Sequence, residues 1–73
     1  MILNERLKNL RLQNGVTQKD IANNIGVTSV SVQRFEYGTA KPKLDTVIKL
    51  ADYFDVSTDY LLGRTDNPNV LRN

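Results

Sequence analysis

Side chains equipped for directional recognition gather between Ser29 and Tyr37. Wound at about 100° per residue, that stretch sets Ser29, Val30, Gln33, Arg34 and Tyr37 within one arc of roughly 140°, with Val32 and Phe35 opposite. The arc carries two groups that both donate and accept, Ser29 and Gln33, a planar fork of donors in Arg34, and an apolar contact in Val30. Those are the means by which a helix reads base edges in the major groove of duplex DNA. Arg34 can donate twice to guanine O6 and N7, and Val30 can meet a thymine methyl. Plainer readings stand beside these: Arg34 can hold a phosphate, and Val30 can be a tolerated surface valine. Ser29 and Gln33 suit several base edges, so their targets stay unnamed.

Other chemistries lack their residues. Cysteine and histidine are absent, which excludes disulfides, thiolate zinc sites and imidazole catalysis or ligation. No nucleophile paired with a base, no phosphate-cradling glycine loop and no metal-ligand cluster occurs, so no enzyme, metal, cofactor or small-molecule ligand is expected. No apolar run approaches the roughly 20 residues of a membrane span. The stretch from Met1 to Arg11 mixes charge into every few positions, unlike a signal peptide. A cytoplasmic location with no membrane partner is expected.

With 73 residues, 40% of them hydrophobic and 25% charged, the chain has the size and composition of one small folded domain. Its net charge of +2 is modest but unevenly spread. Residues 1–43 hold seven cations against three anions, a balance of +4, whereas residues 44–73 hold three cations against five aspartates, a balance of −2. That polarity suits an N-terminal part that faces phosphates, although a solvated surface can show it too.

The elements that must position the arc are legible in spacing and caps. Leu3, Leu7 and Leu10 recur at helical intervals until Asn14-Gly15, giving a first helix over Leu3–Gln13. Thr17 with Asp20 three residues on forms a capping-box-like pair that opens a helix over Gln18–Ile25, stopped by Gly26. Thr28 caps a third over Ser29–Tyr37, ended by Gly38. Pro42 makes a connector of residues 39–43. Leu44, Val47, Ile48, Ala51 and Phe54 mark the apolar face of a fourth helix. Ser57 caps a short fifth over Thr58–Leu62 before Gly63. Tyr53, Phe54 and Tyr60 read as core or rim aromatics. Residues 1–65 are expected to form the domain, and 66–73 a flexible tail or the start of a linker.

Two short helices joined by a three-residue turn must cross steeply. Ala22 supplies the small residue at the crossing, and Gly26 supplies a turn position that tolerates positive φ. Ile21, Ile25, Val27, Val32 and Phe35 supply the apolar anchors. Any one of these is commonplace, but seven at fixed offsets predict a helix-turn-helix over about residues 18–37. Backbone N–H groups at the starts of the second and third helices, near Gln18 and Ser29, lack intrahelical partners and can hold phosphates. Thr28 adds a hydroxyl, while Lys41 and Lys43 flank Pro42 in a loop suited to the DNA backbone or the minor groove.

Thr17-Gln18, Asp20-Ile21-Ala22, Ile25-Gly26-Val27-Thr28, Glu36-Tyr37-Gly38 and Pro42 resemble the xenobiotic response element family, which includes lambdoid phage repressors and Cro. The resemblance runs from Leu3 to about Leu62 and takes in Leu10-Arg11, Val56-Ser57 and Tyr60-Leu61-Leu62. It implies an all-α, compact five-helix domain, encoded by a prokaryote or phage, that binds operator DNA as a homodimer and most often represses transcription. The arc is expected to give base reading by Ser29, Val30, Gln33 and Arg34, with Thr28, Tyr37, Lys41 and Lys43 on the DNA backbone, and the resemblance adds a phosphate contact by Gln18. Gln18 would in addition steady the side chain at position 29, where this chain has serine and the family usually has glutamine. Arg11 and Glu36 correspond to a partly buried ion pair of structural role. The rival reading is an antitoxin or antirepressor in which the same fold covers a partner protein; a polar, basic third helix favours DNA.

Overall fold

In the computed structural model, which describes residues 2–70, helices form at Ile2–Gln13 (α1), Gln18–Ile25 (α2), Ser29–Tyr37 (α3), Leu44–Phe54 (α4) and Thr58–Leu61 (α5). Among the described residues there is no strand. α2 and α3 take the bounds read from their caps, α1 begins one residue earlier than expected, and α5 stops one residue sooner. The most completely buried large side chains are Leu7, Ile21, Val32, Leu50 and Leu61, one from each helix. Each such burial stabilises by roughly 1.5–3 kcal/mol, so a single shared core holds all five elements.

The caps explain why the helices start where they do. The Asp20 N–H donates to Thr17 Oγ1 at 3.0 Å and the Thr17 N–H donates to Asp20 Oδ2 at 2.9 Å, completing the capping box. The Thr17 N–H, seconded by the Thr17 hydroxyl, holds the Asp20 carboxyl below its usual range. The stability they add is present above the unfolded carboxyl's pKa and is lost as the pH falls through the lowered folded value. The Ser31 N–H donates to Thr28 Oγ1 at 3.1 Å and caps α3, and the Tyr60 N–H donates to Ser57 Oγ at 3.0 Å and caps α5.

Between α2 and α3 the chain turns through Gly26, at φ 76°, whose N–H donates to the Ala22 carbonyl at 3.0 Å. A methyl group at Gly26 would meet nothing within 4 Å, so the demand for glycine is conformational rather than steric. Gly26→Ala is therefore expected to cost about 1–2 kcal/mol, read as a fall in thermal midpoint by circular dichroism. An unchanged midpoint would show that the turn tolerates the strain.

The apolar face of α4 differs from the expected one. Val47, Leu50 and Ala51 are buried and Phe54 is half-buried, whereas Leu44 is 73% and Ile48 45% exposed. Residues 47, 50, 51 and 54 span an arc of only about 100°, and Leu44 and Ile48 stand beyond one edge of it.

Beyond α5 there is no further helix as far as Val70, but the chain is tied to the domain. Arg6 of α1 lies over the Tyr60 ring, 4.1 Å from its centre, and donates to the carbonyls of Tyr60 and Thr65 and to Asp66 Oδ1. Asp66 is fully exposed, so its ion pair contributes little, and the carbonyl bonds and ring contact do the holding. Further on, the Ser57 N–H donates to the Pro68 carbonyl at 3.0 Å. Of the tail expected over 66–73, residues 71–73 lie outside the described residues.

Candidate nucleic-acid interface

α3 is fixed from behind. Val32 and Phe35 are buried against α1 and α2, and Glu36 is the one buried charged side chain among the described residues. On the opposite side Ser29, Val30, Gln33, Arg34 and Tyr37 are all exposed, Val30 at 52% and Tyr37 at 69%. The arc drawn from helical periodicity is thus a real solvent-facing surface on a rigidly backed helix.

Behind this surface Arg11 meets Glu36 by two hydrogen bonds, Nε to Oε2 at 2.6 Å and Nη2 to Oε1 at 3.0 Å. The bidentate geometry ties α1 to the end of α3. Burial is unequal, with Glu36 3% and Arg11 17% exposed at the side chain. The hydrogen bond with Glu36 holds Arg11 protonated beyond its usual range, burial opposing it more weakly.

Gln18 has a partner that the sequence did not announce. Its Nε2 donates to Glu36 Oε1 at 3.2 Å, so its amide turns toward Glu36 rather than toward Ser29. Helical geometry held the clue, since Glu36, seven residues after Ser29, sits only about 20° round α3 from it, at the border between core and outward arc.

Thr28 Oγ1, besides capping α3, lies 3.0 Å from Ser31 Oγ and remains exposed. Lys41 and Lys43, with Pro42 between them, stand on the rim of a groove of about 390 Å³ whose other wall is the α2–α3 turn at Ile25, Gly26 and Val27. Lys43 precedes α4 without capping it through its side chain. The candidate residues therefore fall into four groups: the α3 arc, its N-cap Thr28, the Gln18–Glu36–Arg11 network, and the lysines of the α3–α4 loop. Among the described residues no group of three or more acidic side chains gathers to hold a metal, and no helix is long and apolar enough to cross a membrane.

Comparison with known proteins places this architecture. A helix-turn-helix family model matches residues 7–61, and the chain belongs to that family. The uncharacterized HTH-type transcriptional regulator YobD of Bacillus subtilis strain 168 is 40% identical over 65 residues, 89% of this chain and 58% of that protein. The cryptic phage CTXphi transcriptional repressor RstR of Vibrio cholerae serotype O1 is 36% identical over 64 residues, 88% of this chain and 57% of that protein. The chain spans under two thirds of the length of these curated relatives. Among solved structures, a transcriptional regulator from Listeria innocua matches with a TM-score of 0.81 at 30% identity, over 97% of this chain and 64% of that one. The P22 c2 repressor protein, in complex with a synthetic operator, matches with a TM-score of 0.79 at 23% identity, over 84% of this chain and 92% of that one. The five-helix fold is accordingly that of the phage repressor DNA-binding domains.

Proposed function

We propose that this protein is a transcriptional repressor that binds operator DNA sequence-specifically as a homodimer, acting in the cytoplasm of a bacterium. The observation that carries the reading is α3, whose inner face is locked into the core while Ser29, Val30, Gln33, Arg34 and Tyr37 stand exposed together. In this reading α3 lies in the major groove, where Ser29, Val30, Gln33 and Arg34 meet base edges. Gln18, Thr28, Tyr37, Lys41 and Lys43 meet the sugar-phosphate backbone, which fixes register without carrying sequence information. The names of RstR, a repressor, and of the P22 c2 complex with operator support the assignment. Two copies related by a two-fold axis would place their α3 helices on half-sites about one helical turn apart.

Salt titration of a duplex recovered by selection from random sequence tests this. Affinity is expected to fall linearly on a logarithmic scale of salt, and Lys41→Ala and Lys43→Ala each to reduce the slope by about one without altering the selected motif. The same titration is expected to saturate at two chains per palindromic site. A salt-independent affinity would contradict DNA binding, and a 1:1 complex on a non-palindromic site would contradict the dimer.

A further inference from the structure

Gln18 opens α2, and its half-buried side chain reaches across to the end of α3. The carboxylate it meets there is clamped by Arg11 through two nitrogens and is almost wholly removed from water. An ionised carboxylate can only accept hydrogen bonds. The Gln18 amide must therefore turn its NH2 group toward Glu36, because the flipped amide would set its own carbonyl oxygen against a negative charge. Glu36 thus decides which end of the amide leads. The second hydrogen on Nε2 lies in the amide plane and points away from Oε1 of Glu36, free for another acceptor, and a donor held this way suits a phosphate oxygen.

We infer that Glu36 is the positioning residue for a phosphate contact made by Gln18, an inference that rests on the reading that Gln18 meets the DNA backbone. The Arg11–Glu36 pair then has two consequences: it joins α1 to α3, and it holds the donor in its bound orientation before DNA arrives. Holding the side chain beforehand removes the ordering penalty that a free glutamine would face on binding.

The test uses a duplex selected by the wild-type chain, rebuilt with one neutral methylphosphonate linkage at a time. The linkage facing Gln18 is identified as the one whose effect disappears in Gln18→Ala, and in the wild type it should weaken binding about tenfold. In Glu36→Gln the same linkage should have less than about a twofold effect while every other linkage keeps its own. A uniform loss across all linkages, with the pattern unchanged, would make Glu36 merely structural and overturn the inference.

Should Glu36→Gln not fold, the wild-type protein still decides. The two Nε2 protons of Gln18 should be more widely separated in nitrogen-edited NMR spectra than those of the exposed Gln13 and Gln33, and coincidence with those two would overturn the inference. If Gln18→Ala abolishes no linkage effect although the duplex is bound, Gln18 is off the backbone, and the inference falls while DNA binding by α3 stands.

Discussion

Arg11→Ala is expected to lower the free energy of unfolding by about 3 kcal/mol, a large part of what a domain of this size possesses. The cost lies less in the lost attraction than in what is left behind. Glu36 stays 3% exposed, and its carboxylate would keep only the Gln18 amide as a partner. Arg11 itself is 17% exposed, so the figure belongs at the lower end of the range for breaking a buried pair. Urea unfolding of the two proteins measures it directly. Replacing both residues together, Arg11→Met with Glu36→Leu, is expected to recover most of the loss, because no unpaired buried charge remains. A single-variant loss below about 1 kcal/mol would instead class the pair with exposed salt bridges.

Arg34→Ala is expected to leave folding intact and to relax sequence preference at one base position by about 1–3 kcal/mol. Arg34 is exposed on the outer arc of α3, and alanine is a good helix former, so the thermal midpoint should hold. Its bidentate fork is the one group on the arc able to demand a guanine. Binding-site selection on both proteins separates the outcomes. A motif changed at a single position in each half-site supports base reading, whereas identical motifs with uniformly weaker affinity would make Arg34 a phosphate contact.

Local signals made the helix-turn-helix legible from the chain alone. Thr17 with Asp20, Gly26, Thr28 and Gly38 act through neighbours three to five residues away, and they set the ends of α2 and α3 as read. The outward arc of α3 followed from the same periodicity, because its two faces differ sharply in polarity. α4 was harder: Leu44, Val47, Ile48, Leu50, Ala51 and Phe54 together cover roughly 160° of the helix. Which half of so wide a stripe is buried depends on where α1, α2 and α5 lie, and only the assembled fold decides for Leu50 over Leu44 and Ile48. Arg6 was illegible for a related reason, since two of its partners are backbone carbonyls more than fifty residues away that carry no residue signature. Periodicity along α3 set Glu36 beside the arc, but its pairing with Gln18 depended on the crossing of α2 and α3, which spacing along the chain does not contain.

Sequence-specific binding requires α3 to be a rod presented to a duplex groove, and sequencing of random duplexes retained by the purified protein tests that most directly. Recovery of a short motif with two-fold symmetry, held less tightly as salt rises, is the expected result. Retention of no duplex above background at low salt, or of duplexes without any shared motif, would contradict it.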